Sequence, residues 1–154
     1  MDKNRTLSVT AIEHGTVIDH ITPGQALRIV RLLTTMPHND QMMIGLNLPS
    51  RTHGHKDLVK VTNRELTAEE VNRITLYSPH ATVNIIRNYR VYKKFHPTVP
   101  PVIKELMRCL NQTCITNHEP VTTIFYSHTS AKKILLTCHY CEKVFPLSDM
   151  QDKP

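Results

Sequence analysis

Residues 109–141, CLNQTCITNHEPVTTIFYSHTSAKKILLTCHYC, hold every cysteine of the chain. They stand as Cys109-x4-Cys114, then 23 intervening residues, then Cys138-x2-Cys141. Two short-spaced pairs fit one tetrahedral four-thiolate shell, and zinc suits such a closed structural site best. Two disulfides, or four unrelated core thiols, are the alternatives. Nothing suggests secretion, so the paired spacing favours one structural Zn2+ on Cys109, Cys114, Cys138 and Cys141.

The segment His96-Pro97-Thr98-Val99-Pro100-Pro101 precedes this stretch. Three prolines withhold three backbone donors and restrict their predecessors, so the chain is extended there. We place a boundary between residues 1–97 and 98–154. The second part is too short to bury a dependable core unaided, and metal binding would supply the missing folding free energy. Within it, 122–126, 134–138 and 143–145 read as short strands of a small antiparallel β domain.

Working back toward the N-terminus, 7–12 and 16–20 read as strands around the turn Glu13-His14-Gly15. Thr22-Pro23 signals a helix start, with Ala26, Leu27, Val30 and Leu33 inward. Residues 42–48 and 56–61 read as strands. Thr67-x-x-Glu70 is a capping box opening a second helix, with Val71, Ile74 and Tyr77 inward. Residues 81–86 and 89–93 are strand-like again. From 16 to 87 the order is β-α-β-β-α-β, which predicts an α+β class with a ferredoxin-like sheet, both helices on one face and an extra N-terminal strand.

Helices on one side leave the other side of the sheet open. Alternation puts Val59, Val61, Val83 and Ile85 toward the core, and Lys56, Leu58, Lys60, Thr82, Asn84 and Ile86 opposite. Lys94 and Tyr89 arrive from the next segment. Ammonium groups, an amide and apolar residues suit a nucleotide, with a carboxylate for ribose hydroxyls. A plain solvated face uses the same lysines. The basic, aromatic run 87–94 also suits single-stranded RNA on a zinc-ribbon protein, or a charged, protected edge strand.

The chain carries 19 Lys and Arg against 13 Asp and Glu, a net +6. Residues 1–100 hold 13 against 8, and 101–154 hold 6 against 5. With four thiolates and a divalent ion the metal part turns slightly negative, unlike a nucleic-acid ribbon. No apolar run has signal-peptide or membrane-spanning length, so a cytoplasmic location is expected and no membrane partner. A stand-alone enzyme is disfavoured: no cysteine is spare, no metal position is open, and no Ser-His-Asp set is apparent.

The segments GTVIDHI (15–21), IGLNLPS (44–50), KDL (56–58), ATVN (81–84) and CHYCEK (138–143) together resemble the regulatory chain of prokaryotic aspartate carbamoyltransferase. The likeness covers about residues 7–146, both cysteine pairs included. It implies a non-catalytic subunit with an N-terminal allosteric domain and a C-terminal zinc domain. In that family CTP, alone or with UTP, inhibits and ATP activates, competing for one site. Carried over by motif, Asp19 binds ribose, Lys60 and Lys94 face the phosphates, and His20 lines the phosphate end. Ile12, Val17, Asn84, Ile86, Tyr89 and Val91 surround base and sugar. Two features sit awkwardly with strand alternation: His20 points away from Asp19 unless the strand ends there, and Lys94 differs in parity from Tyr89 and Val91. Thr10 and Ile85 stand where relatives often carry charge. The loop 110–113 is the family's contact with the catalytic chain, and Thr113 replaces an expected asparagine. Asn111, Glu142 and Lys143 are interface residues by the same resemblance, which also implies regulatory homodimers within a dodecamer of two catalytic trimers and three regulatory dimers.

Overall fold

The computed structural model describes residues 10–34 and 40–153. The chain divides into two compact units, Met1–Thr98 and Val99–Pro154. In the first, β1 (Gly15–Ile21), α1 (Ala26–Leu33), β2 (Met42–Ser50), β3 (Gly54–Thr62), α2 (Ala68–Ile74), β4 (Thr82–Arg87) and β5 (Arg90–Phe95) follow in order. The strands lie as β2-β3-β1-β4-β5 with every neighbour antiparallel. The class is α+β, and β1 through β4 have the ferredoxin-like arrangement. The fifth strand is the C-terminal one. Of the expected strand over 7–12, residues 10–12 are irregular and 7–9 lie outside the described residues.

Both helices bury one side of the sheet. Ile18, Val59, Val61 and Val83 from the strands pack with Ala26, Ile29, Leu33, Val71 and Ile74 from the helices. Each large aliphatic buried there contributes roughly 1.5–3 kcal/mol. Helix α2 starts as its sequence dictates: Thr67 Oγ1 accepts the Glu70 amide at 3.2 Å, and Glu70 Oε2 accepts the Thr67 amide at 2.9 Å.

Helix α1 starts later than expected. Thr22–Gln25 is a turn closed by the Gln25 amide on the Thr22 carbonyl at 3.0 Å, with Gly24 at φ +90°. Pro at its second position and a positive-φ glycine at its third are the type II pattern, which Thr-Pro signals as readily as a helix cap. The helix instead borrows its cap from β3. Asp57, buried, accepts the Gly24 and Ala26 amides on Oδ2 at 2.8 and 3.3 Å, and the Asn47 amide on Oδ1 at 2.8 Å. The buried stripe is Ala26, Ile29 and Leu33, an i, i+3, i+7 spacing, and Leu27, expected inward, is 61% exposed.

The second unit is built of β6 (Val102–Lys104), β7 (Met107–Arg108), β8 (Ile124–Ser130), β9 (Lys133–Cys138), β10 (Val144–Pro146) and β11 (Gln151–Asp152). One antiparallel sheet has the order β10-β9-β8-β6, and β11 pairs with β7. Strands β6, β7 and β11 are two or three residues long, too short to show alternation in sequence. Phe125 and Leu136 are its fully buried large residues, joined by Ile103, Met107, Leu147 and Met150. Among the described residues no helix is long and apolar enough to cross a membrane.

Candidate ligand face and metal centre

On the helix-free side of the first sheet, cross-strand pairing fixes a row of side chains. Lys60 stands opposite Met43 and Val17, Val17 opposite Asn84, and Asn84 opposite Lys94. Directly paired residues share a face, so these five line up across all five strands. Gly15, Ile86 and Val91 form the neighbouring row. Val17 and Asn84 are half-buried, Lys60 and Ile86 nearly covered. Lys60 Nζ donates to the Thr10 carbonyl at 2.7 Å. Burial lowers the Lys60 pKa, and the charge of Asp19 resists that fall.

Two bulges resolve the parity conflicts. Between Ile85 and Ile86 the β4–β5 register shifts, so Tyr92 is the extra residue. Val91 and Lys94 therefore both reach the open face. In β1 the register with β3 shifts between Ile18 and Ile21, with His20 at φ 56°. The extra residue turns His20 back beside Asp19, Nδ1 to Oδ2 3.6 Å, without the strand ending. Asp19 Oδ1 also meets Lys56 Nζ at 2.8 Å. Tyr89 is not on a strand. It shares with Asn88 a two-residue hairpin turn of positive φ, 61° and 51°, and is 66% exposed. Ile12 is buried beside Gly15.

In the second unit the four cysteine sulfurs all lie within 4.8 Å of one another. Sγ of Cys109 and Cys141 are 3.7 Å apart, and those of Cys114 and Cys138 are 3.8 Å apart. Disulfide sulfurs would be about 2.05 Å apart. A tetrahedron of sulfurs about 2.3 Å from a central ion has edges near 3.8 Å, so the donor set fits a structural metal. Local hydrogen bonds hold the two knuckles. Asn117 Nδ2 donates to the carbonyls of Cys109 and Asn111 at 3.0 and 2.8 Å, and Thr116 Oγ1 donates to Cys114 Sγ at 3.2 Å. Glu142 takes φ 61°, letting its amide reach the Cys138 carbonyl at 3.0 Å.

Burial pushes the Cys109 and Cys138 thiols up. Burial opposes ionisation of Cys141 too, but the Lys143 amide, the Asn111 side chain and the neighbouring thiols outweigh it and bring Cys141 down to about 7. Cys141 is thus ready to ionise near neutrality, while Cys109 and Cys138 need a cation to give up their protons.

Residues 7–98 match the family described as aspartate carbamoyltransferase regulatory chain, allosteric domain, and residues 101–151 match its metal binding domain. The chain belongs to the aspartate carbamoyltransferase regulatory chains. It is 48% identical over 139 residues to the regulatory chain of Pyrococcus abyssi, covering 89% of this chain and 91% of that one. It is 44% identical over 140 residues to that of Chromobacterium violaceum, covering 91% and 92%. Against that of Thermococcus onnurineus it is 42% identical over 145 residues, covering 94% and 95%.

For this regulatory chain, the open face gathers Val17, Asp19, His20, Lys60, Asn84, Ile86, Val91 and Lys94, whereas Tyr89 stands at its rim. Alternation also puts Lys56 and Thr82 on this face, although the set carried over by resemblance lacks them; Lys56 meets the Asp19 carboxylate and Thr82 pairs with Asp19. Of the residues carried over as contacts with the catalytic chain, Glu142 and Lys143 are exposed. Asn111 is half-buried, and its side chain is engaged within the metal unit: Oδ1 accepts from the Thr113 amide and hydroxyl at 3.3 and 3.0 Å, and the same side chain hydrogen-bonds Cys141. In the basic run 87–94, Arg87 is engaged by Glu65 at 2.6 and 3.0 Å and lies 3.7 Å from the Tyr92 ring centroid.

Proposed function

We propose that this chain is the non-catalytic regulatory subunit of aspartate carbamoyltransferase, binding CTP and UTP as inhibitors and ATP as activator on the helix-free face. The observation that carries this is the row Lys60–Val17–Asn84–Lys94, with Asp19 beside it. Two ammonium groups at separate points of one face suit a chain of phosphates. Between them lie an amide for base edges and an aliphatic floor of Val17 and Ile86, with a carboxylate within reach of ribose hydroxyls. Lys60 is held nearly buried with its charge poorly solvated, so an incoming phosphate gains more from it than from a free surface lysine. Titrating the full chain with CTP and with ATP by calorimetry tests this. Lys60→Ala should weaken both by about 30-fold, the worth of roughly 2 kcal/mol for one charged hydrogen bond. Unchanged affinities in the variant would remove the face from consideration.

The reading assigns zinc to the four thiolates. When bound, the ion supplies the charge that keeps four sulfurs ionised side by side and leaves no position open for a reaction. Thiolates of this kind keep their metal in a reducing, cytoplasmic compartment. The metal unit presents Glu142, Lys143 and the 110–113 loop to a catalytic chain. Effector binding biases that chain through a coupling of about 1–3 kcal/mol, the usual size for such linkage. In this scheme three regulatory dimers join two catalytic trimers.

Regulatory chains pair through β2. It is an outer strand of the sheet, its sequence MMIGLNLPS has no charge, and Ile44 and Leu46 are 39% and 54% exposed. The opposite edge, β5, carries Arg90, Lys93 and Lys94, the usual protection against pairing. Sedimentation equilibrium of Ile44→Lys/Leu46→Lys should show monomers where the parent is dimeric. A dimer of undiminished strength would place the contact elsewhere.

A further inference from the structure

A cavity of about 250 Å³ opens at the end of β1, beside the candidate effector face. Its walls hold four imidazoles: His20 from β1, His53 and His55 from the β2–β3 hairpin, and His80 from the segment before β4. Thr22, Ser50 and Lys56 add to its polar lining. We infer that His53, His55 and His80 extend the phosphate end of the effector site and make its grip on anions proton-dependent, tighter as pH falls. The inference rests on the nucleotide reading above, which it joins through His20.

The charges around the cavity are unbalanced in one direction. Among the described residues no carboxylate is part of its wall. Asp19, which meets two of the lining residues, is already shared between Lys56 at 2.8 Å and His20 at 3.6 Å. Asp57, next along β3, faces the amides of Gly24, Ala26 and Asn47 instead. Arg51 is exposed in the hairpin and Lys60 lies on the adjoining face, two further positive charges. Among the described residues the His55 ring has no hydrogen-bond partner, and the His80 ring meets only that of His53, stacked at 6.2 Å. His53 Nδ1 lies 2.9 Å from the Thr52 hydroxyl, and its other ring nitrogen has no partner among the described residues.

Imidazole is the side chain that gains charge between about pH 8 and 5. Neutral rings stack without penalty, but two protonated ones repel each other and Lys56 unless an anion lies between them. A bound phosphate therefore favours protonation of these rings, and by linkage protonation favours the phosphate. Each proton taken up on binding steepens the dependence of affinity on pH by as much as tenfold per unit.

The test is calorimetric titration of the full, metal-loaded chain with CTP, ATP and inorganic tripolyphosphate at pH 8, 7 and 6. Parent, H53Q/H55Q/H80Q and H80K chains are compared, and thermal melts establish that each is folded. Titration of the ligand's own phosphate is common to all, so the difference in slope is the readout. The parent should gain about 10-fold more affinity between pH 8 and 6 than the triple variant, the effect of one linked proton. H80K, charged throughout, should bind more tightly than the parent at pH 8 and show a flatter profile. Equal slopes in parent and triple variant, with CTP still bound, overturn the inference and leave the nucleotide reading intact. Tripolyphosphate binding with the expected slope but no nucleotide binding would keep the proton-linked pocket and reject the nucleotide reading. No binding of any anion at any pH overturns both.

Discussion

Cys138→Ser, or removal of the metal with p-mercuribenzoate, is expected to unfold the second unit while the first keeps its sheet. The unit has few large buried side chains, and three of its buried residues are the cysteines themselves. A chain of that length without a metal or disulfide is marginal. A structural zinc on four thiolates contributes about 10–16 kcal/mol of apparent binding free energy, far more than the whole stability of such a unit. Losing one sulfur also removes the metal's anchor at the end of β9, which Cys138 closes. Amide NMR should show resonances of β8, β9 and β10 collapsing to unfolded positions, and capture of catalytic chains should disappear. Because the buried thiols of Cys109 and Cys138 are pushed up and Cys141 lies near 7, metal uptake at neutral pH must expel protons. Metal affinity accordingly falls as pH drops from 8 to 6. A native spectrum and retained capture after complete metal loss would disprove the structural role.

The second large effect is expected at Gly15. A methyl group there would lie 2.0 Å from the Val61 carbonyl oxygen and 3.1 Å from both the Asn63 nitrogen and Ile12 Cδ1, at φ +141°. The oxygen belongs to the backbone of β3, the central partner of β1, so it cannot swing away as a side chain would. Gly15→Ala should therefore cost more than about 3 kcal/mol, the range reserved for overpacked cores and special backbone positions. That corresponds to a fall in Tm of at least about 12 °C for the first unit. Gly54→Ala provides the comparison. Its φ is +77° but nothing stands within 4 Å of the added carbon. Only the left-handed backbone is penalised, about 1–2 kcal/mol. If the two variants melt together, steric contact at Gly15 is not what holds the β1–β3 spacing. Because Gly15 pairs with Thr62 and Ile86, spreading the strands there also separates Val17 from Lys60, and nucleotide affinity should fall in parallel.

Much of the face was legible because strand alternation is a local property. Lys60, Asn84 and Ile86 could be placed together from parity alone, and pairing across β3, β1 and β4 puts them on one side. The thiol centre was legible from spacing. What could not be read depends on residues that meet only after folding. A bulge at Tyr92 or His20 leaves no mark in composition, yet each reverses the parity of the residues beyond it. The start of α1 was misplaced because Thr22-Pro23 serves a turn as well as a cap, and the true cap comes from Asp57 on another strand. Leu27, adjacent to Ala26, lies off the buried i, i+3, i+7 stripe that Ile29 completes. Lys56 was readable by parity but gains its meaning only from Asp19, on the neighbouring strand.

The Asp57 carboxylate grips amides on both sides of α1's threshold and a third in the kink of β2. Three separate pieces of the molecule therefore share one pin, set three residues from Lys60 on the same strand. Whatever tugs on that lysine moves a hub rather than a single spoke, and the outermost strand travels with it.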